Sequence, residues 1–302
     1  MALNVGLVGH GRWGSRHLDT LLTLKKSGKI GSIFVCDTDE KQLRNLPPGV
    51  DATYSTSQDL FNLKSLDCVA IVTPPSTHLE LASQAIAKGF PVFVEKPLSD
   101  QMADVSDFLD SLHPETTLIS GFLLRHHHGI QAIQQLLSNR KIGVLRELHY
   151  YRTTKRDRPK GAQAMTTLGI HGFDLSILFG MDELMSVKPY EFISEPGKMK
   201  LDARGPRDTR ILIDVSWNAA EEKRNLTLVG EQGELVLTFG STPHLAFNSG
   251  EATQSLPISN DTTPLALEWE FFLTAALSGT PTVYPSKTDL LLLNRWLSTL
   301  TE

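Results

Sequence analysis

The 302-residue sequence predicts an α/β protein, with a doubly wound parallel-sheet domain over residues 1–122 and an α+β domain over residues 123–302 carrying a large, mainly antiparallel open sheet. Three observations support this. Short Val- and Ile-rich runs alternate with helical patterns up to about residue 122. Strand-like runs then follow one another in series after about residue 189. A glycine-rich turn separates the first apolar run from the first helical segment.

In the N-terminal part the strand candidates are LNVGLV, SIFVCD, CVAIVT, PVFVE and TLISGF. Between them lie segments such as HLELASQAIAKG, in which apolar residues recur at helical spacing. Continuous apolar strands alternating with helices read as a parallel sheet covered on both faces. Beyond residue 123 a helix is expected from Gly129 to Asn139, then the strand VLRELHYYRT, then a helix from His171 to Phe179. The runs YEFIS, RILIDVSW, NLTLVG, ELVLTF and HLAFN complete the second sheet. In LTLVGEQGELVLTF two strands flank Glu-Gln-Gly, a hairpin in which Gly233 supplies positive φ. The segments PLALEWEFFLTAALSG and SKTDLLLLNRWLSTL close the chain as helices, the last expected to pack back on the first domain.

Composition narrows the function classes. With 40% hydrophobic and 21% charged residues the chain is globular, and a formal charge of −5 lacks the overall basic footprint of a nucleic-acid binder. The two cysteines, Cys36 and Cys68, both lie in apolar runs and are expected as buried thiols without a disulfide. The chain enters LNVGLVG without a basic leader, and no stretch approaches the ~20 apolar residues of a membrane span, so a cytoplasmic protein with no membrane partner is expected.

Directly after the first strand, VGHGRWGSRH places Gly9, Gly11 and Gly14 in the spacing G-x-G-x-x-G, with Arg12 and Trp13 inside it. The first glycine makes a tight turn, the second admits a pyrophosphate to the backbone, and the third lets helix approach strand, while helix N-terminal amides hold the anion. A second strand ends in Asp37, 23 residues after Gly14, where a carboxylate accepts ribose hydroxyls and repels a 2′-phosphate. The pattern points to a dinucleotide, NAD in preference to NADP, with Arg12 the residue able to favour the phosphate.

The run FVEKPLSD is harder to explain as structure alone. A buried strand that ends in Glu95, Lys96 and Pro97 desolvates charge and cannot continue a ladder. Either Lys96 is solvated at the strand end, or a ligand beyond the strand needs it. The three histidines at 126–128, read on one helix, point about 100° apart and do not form a metal site, so no metal is expected. The segment RTTKRDRPK holds five Lys or Arg between Arg152 and Lys160. It is either a solvated loop or a clamp for a substrate diphosphate, with Arg156 and Arg158 as the forks.

IVTPPSTHLELASQAIAKGFPVFVEKPLS, together with GHGRWG and GIHGFDL, resembles the Gfo/Idh/MocA family of sugar oxidoreductases over essentially the whole chain. The Trp-Gly of the glycine loop and the wording TPPSTH look most like the nucleotide-sugar branch, of the UDP-N-acetylglucosamine 3-dehydrogenase type. The resemblance implies a Rossmann domain followed by a domain whose open sheet forms the interface of a homodimer or homotetramer. It implies that Lys96 reaches the reacting hydroxyl and the nicotinamide, that Pro97 fixes its direction after a cis peptide, and that Glu95, Thr73, Pro74 and His78 border the cofactor.

The family's second catalytic element is Asp-x-x-x-His on a helix. Here its positions are Thr167 and His171, followed by Asp174, so the histidine is present and the aspartate is replaced. Four residues apart on a helix, Thr167 and His171 are expected on one face, with Arg125, Thr167 and Asp174 on the substrate side. Arg125 is equally consistent with a structural salt bridge. The reaction implied is hydride transfer between NAD and a secondary alcohol of a sugar, with a nucleotide-linked sugar preferred, His171 as base and Lys96 as polarising cation. The rivals are a dehydrogenase of a free sugar, inositol or keto compound, and a non-catalytic NAD(H) sensor, for which the missing aspartate argues.

Overall fold

A computed structural model describes residues 2–181, 189–205 and 209–300. The chain divides into two compact units, Met1–Leu123 with Leu265–Asn294, and Leu124–Pro264 with Arg295–Glu302. Residues 265–294, expected in the second domain, thus belong with the first. The reason is visible in the packing: Trp269 and Phe272 enter the core of the first unit, and Val283–Tyr284 adds a strand to its sheet.

The first sheet contains β1 (Leu3–Val8), β2 (Ile30–Cys36), β3 (Ala52–Tyr54), β4 (Cys68–Ile71), β5 (Val92–Glu95) and β6 (Leu118–Gly121), with Val283–Tyr284 at its edge. In space the strands run β3-β2-β1-β4-β5-β6 and then Val283–Tyr284, all in parallel. Every residue of β4, β5 and β6 is buried, as strands covered on both faces require. The helices that accompany them are α1 (Arg12–Lys26), α2 (Glu40–Leu43), α3 (Ser57–Phe61), α4 (His78–Ala87) and α5 (Met102–Ser111). In α1 the buried Leu18, Leu21 and Leu22 fall at helical spacing beside Gly14 and His17, and Lys25 and Lys26 in its last turn complement the helix dipole.

The strand order reverses direction between β1 and β4. Open α/β sheets bind ligands at the carboxyl ends of the strands at such a switch point. The loop after β1 carries Gly9–Gly14, that after β4 carries Thr73–His78, and that after β5 carries Lys96. Three motifs singled out from sequence therefore share one sheet edge.

The second unit contains α6 (His128–Ser138), β7 (Leu145–Thr153), α7 (Ile170–Leu178), β8 (Pro189–Glu195), β9 (Lys198–Arg204), β10 (Arg210–Ser216), β11 (Lys223–Gly230), β12 (Gly233–Thr238), β13 (His244–Asn248) and β14 (Thr253–Leu256). Its eight-stranded sheet runs β14-β13-β12-β11-β7-β10-β9-β8. The pairing is antiparallel throughout except for β7 with β10, which is parallel. Strands alternate buried and half-buried residues, so Ile211, Ile213 and Val215 of β10 face the core while Leu212 and Asp214 lie on the other face. Gly172 lets α7 settle on the buried face: a Cβ there would lie 2.8 Å from Tyr150 and 3.0 Å from Ile213. The β11–β12 hairpin turns as expected, with Gly233 at φ +144°.

The closing helices are α8 (Pro264–Ser278) and α9 (Lys287–Thr299), and the strand between them is β15 (Val283–Tyr284). The division between units falls inside α9, after Asn294. Cys36 and Cys68 are buried free thiols; burial raises both, Cys36 to about 12. Among the described residues no helix is long and apolar enough to cross a membrane.

Candidate functional site

The glycine loop has the geometry of a phosphate cradle. Gly9 sits at φ +95°, and a Cβ on it would come within 2.7 Å of the Val72 carbonyl oxygen. A Cβ on Gly14 would lie 2.1 Å from the Gly9 carbonyl oxygen, so helix and turn approach as closely as only glycine permits. At Gly11 the position of a Cβ meets nothing within 4 Å. Gly11 is the N-cap of α1, with no side-chain cap on the first amides of that 15-residue helix. Free amides, a helix dipole and open space over Gly11 fit a pyrophosphate. Arg12 is exposed at the helix start, and the Arg16 guanidinium covers the half-buried Trp13 ring at 5.0 Å.

Asp37 follows β2 and stiffens this loop. One carboxylate oxygen accepts from the His10 N–H at 2.7 Å and the other from the Asp39 N–H at 2.8 Å. A carboxylate has about four acceptor positions, so capacity for ribose hydroxyls is left.

Lys96 is half-buried at the carboxyl end of β5, and the Lys96–Pro97 peptide is cis. Burial holds its ammonium below the ordinary lysine value; Glu95 opposes that shift, Arg12 adds to it, and Glu268 opposes it. Glu95 is 6% exposed. Its Oε2 accepts from the Lys96 N–H at 3.0 Å, and its Oε1 from His17 Nε2 at 3.0 Å. Trp269 Nε1–H in turn donates to His17 Nδ1 at 3.1 Å. Sequence reasoning did not single out His17 or Trp269.

His78, expected to border the cofactor, is turned inward. It is 1% exposed, and its ring nitrogens lie 2.8 Å from the carbonyl oxygens of Pro97 and Thr73. It joins the loop after β4 to the loop after β5. Burial lowers its proton affinity, while the two carbonyls oppose that shift. Thr73 accepts from the Thr77 hydroxyl at 2.8 Å, and Pro74 is exposed beside it.

In the second unit the helical reading around Thr167 changes. Residues Met165–Gly169 form a π-helical turn, with the Ile170 N–H bonded to the Met165 carbonyl, so Thr167 and His171 are not an α-helical i, i+4 pair. The Thr167 hydroxyl donates to the Gln163 carbonyl at 2.6 Å and accepts from Trp217 Nε1 at 3.3 Å. His171 is half-buried in the first turn of α7. Asp174 and Arg125, assigned to the substrate side, form a buried ion pair, with Nε and Nη2 of the guanidinium 2.8 and 2.7 Å from the same carboxylate oxygen. Of the two readings of Arg125, the salt bridge is the one seen.

The basic loop is tied to its own unit. Arg156 Nε donates to Thr154 Oγ1 at 3.2 Å, and Arg158 Nη1 to the Ala162 carbonyl at 2.7 Å. Arg152 faces Glu222 at 3.6 Å. His126 and His127 are buried, and burial lowers each to about 4. The three adjacent histidines are not on one helix: His126 ends a 3-10 turn, His127 caps α6 by accepting from the Gly129 N–H at 3.0 Å, and His128 begins that helix. Among the described residues no group of three or more His, Cys, Asp or Glu side chains is placed to hold a metal.

Residues 3–119 match the profile of the Gfo/Idh/MocA family, described as an oxidoreductase family with an NAD-binding Rossmann fold. Over 180 residues the chain is 27% identical to inositol 2-dehydrogenase of Gluconacetobacter diazotrophicus, a match covering 58% of this chain and 53% of that enzyme. The chain thus spans about half the length of that relative. Its fold is similar to that of KijD10, a 3-ketoreductase from Actinomadura kijaniata in complex with TDP-benzene and NADP, with a TM-score of 0.83 at 16% identity over 97% of this chain and 95% of that one. It is also similar to an oxidoreductase from Agrobacterium radiobacter in complex with NAD+, L-tartaric acid and magnesium, with a TM-score of 0.80 at 18% identity over 97% and 94% of the two chains. At these identities the structural likeness establishes a common fold.

Proposed function

We propose, on the match of residues 3–119 to the Gfo/Idh/MocA family of oxidoreductases with an NAD-binding Rossmann fold, that the chain is an NAD-dependent dehydrogenase of a secondary alcohol on a sugar. A nucleotide-linked sugar is the preferred substrate. The observation that carries the reading is Lys96, a half-buried cation at the switch-point edge of the sheet, close enough to Arg12 of the phosphate loop to feel its charge.

A bound nicotinamide supplies the hydride acceptor or donor. The amides at the start of α1 and the space over Gly11 take the pyrophosphate, and Asp37 takes the ribose hydroxyls. Lys96 polarises the alcohol oxygen, and His171 is the base that receives its proton. Thr167 offers no carboxylate to His171, and its hydroxyl is already engaged at both donor and acceptor positions. Asp174 and Arg125 support this unit as a buried pair rather than by meeting substrate.

A second reading, oxidation of inositol or a free sugar, is favoured by the named activity of the relatives and by the internal ties of Arg156 and Arg158. The open face of the second sheet carries half-buried Leu212 and Val236 beside paired charges such as Arg210 with Asp202 and Lys200 with Glu191. That mixture supports a homodimer or homotetramer through this face. A cytoplasmic location accompanies the reading.

The deciding experiment is titration with NADH and NADPH, followed by turnover across UDP-sugars, free sugars and inositols. Turnover of nucleotide sugars selects the first reading, and turnover of inositol or free sugars alone selects the second. Tight NADH binding with no turnover of any of them selects a sensor. Lys96→Met is expected to lower kcat by ~10²-fold or more at nearly unchanged NADH affinity.

A further inference from the structure

Behind Lys96 lies a hydrogen-bonded chain that no part of the proposed chemistry uses. His17 and Trp269 are both 0% exposed, and Glu95 is 6% exposed. The indole can only donate, so His17 Nδ1 accepts from it at 3.1 Å and the ring hydrogen resides on Nε2. From there it is donated to Glu95 Oε1 at 3.0 Å. The second carboxylate oxygen accepts the Lys96 N–H at 3.0 Å. Donation thus converges on Glu95, from indole to imidazole to carboxylate on one side and from the Lys96 N–H on the other.

The surroundings hold this geometry rigidly. Phe93 stacks on Trp269 with ring centroids 5.5 Å apart and planes 16° apart, and it also lies 5.5 Å from the His17 ring. Gly121, opposite Glu95 on β6, leaves room for the carboxylate: a Cβ there would sit 3.1 Å from Glu95 Cδ. A buried carboxylate needs donors, since losing one leaves buried charge unsatisfied.

We propose that His17 and Trp269 are positioning residues for the proposed catalytic Lys96, acting through Glu95, whose carboxylate they hold in place beside it. The proposal rests on the role given to Lys96 above. The charged groups that bear on Lys96 are Glu95, Arg12 and Glu268. Of these, Glu95 is the one that the relay aims. Burial lowers the lysine's proton affinity and Glu95 raises it, so a carboxylate released by loss of His17 lets the ammonium give up its proton at lower pH.

The test begins on the protein without added cofactor. Long-range ¹H–¹⁵N spectra are expected to show His17 as the Nε2–H tautomer, and Trp269→Phe, which keeps the stacked ring and removes the donor, is expected to mix the tautomers. An Nδ1–H tautomer in the wild-type protein overturns the relay. Reductive ¹³C-methylation then reports the titration of Lys96. His17→Leu is expected to move it down by on the order of one pH unit, and His17→Gln, which restores a side-chain N–H, to bring it part of the way back.

In turnover His17→Leu is expected to lower kcat at least tenfold, the scale of a lost hydrogen bond to charge, and to shift the basic limb of its pH profile downward, with NADH affinity held within about threefold. Equal behaviour of His17→Leu and His17→Gln, or an unmoved Lys96 titration in both His17→Leu and Trp269→Phe, overturns the proposal. If His17→Leu does not fold, the Trp269→Phe titration decides. Failure of the Lys96 role itself is separate: it shows as a wild-type kcat in Lys96→Met.

Discussion

Gly11 and Gly14 stand three residues apart, yet an added methyl group should have opposite consequences at the two positions. At Gly11 the backbone is extended, φ −74° and ψ −160°, a region open to any L residue, and the new Cβ meets nothing within 4 Å. Gly11→Ala therefore gains ~0.4–1 kcal/mol from a stiffer unfolded chain and loses a comparable few tenths to ~1 kcal/mol as a poorer N-cap. The stability of the protein should be unchanged within about 1 kcal/mol. The methyl group occupies the space assigned to the pyrophosphate, and displacing one or two charge-assisted hydrogen bonds, at ~1.5–3 kcal/mol each, weakens NADH binding by about 10-fold to several hundredfold or more. At Gly14 the Cβ would stand 2.1 Å from the Gly9 carbonyl oxygen, which is backbone on both sides. Overpacking of that kind costs ~1–3 kcal/mol or more, so Gly14→Ala should lower stability as well as binding. Urea titration and NADH fluorescence on the two variants separate the effects. Wild-type NADH affinity in Gly11→Ala would refute the placement of the pyrophosphate over Gly11.

Three further outcomes are expected. Asp37→Ser should narrow the preference for NADH over NADPH, read as the ratio of the two dissociation constants, because it removes the carboxylate that opposes a 2′-phosphate. Arg125→Leu should cost ~3–5 kcal/mol by removing the cation that faces the buried Asp174 carboxylate, whereas Arg125→Leu with Asp174→Leu should recover much of that loss; equal urea midpoints for the single and double variants would show that the pair is not the unit of stability. His126 and His127 have folded values near 4 against an ordinary 6.5, so below pH 6.5 the unfolded chain binds protons that the folded one refuses. Stability should therefore be full above pH 6.5 and fall as the pH drops toward 4, and His127→Asn, which keeps an acceptor for the Gly129 N–H, should flatten the profile of stability against pH.

Local signals carried most of the first unit. G-x-G-x-x-G between a strand and a helix, and Asp37 at the end of the next strand, are short-range patterns whose physical demands are met within a few residues. The strands β3 and β15, with three and two residues, are too short to show periodicity. In β9 the alternation of Met199, Leu201 and Ala203 was readable as period two, but the charged KMKLDAR wording hid it. The α-helical pairing of Thr167 with His171 failed for a different reason. A π-helical turn shifts the phase of every residue after it, and nothing in MTTLG announces one.

Three histidines show what separates a legible site from one that is not. His78 lies in a recognisable motif, and the motif marks the loop after β4 while saying nothing of the ring, whose nitrogens turn inward to the carbonyls of Thr73 and Pro97. His171 stands where a base is expected, and only its place in the chain was predictable. His17 carried a signal that reasoning passed over: three residues after Gly14 it falls on the same helical stripe as Leu18, Leu21 and Leu22, and a polar ring on a buried stripe requires partners. The partners are a carboxylate 78 residues away and an indole 252 residues away. No local pattern identifies them, because α8 reaches the first core only through tertiary packing. A buried polar side chain beside a cofactor motif is thus a prediction of a network whose members the fold, and not the spacing, selects.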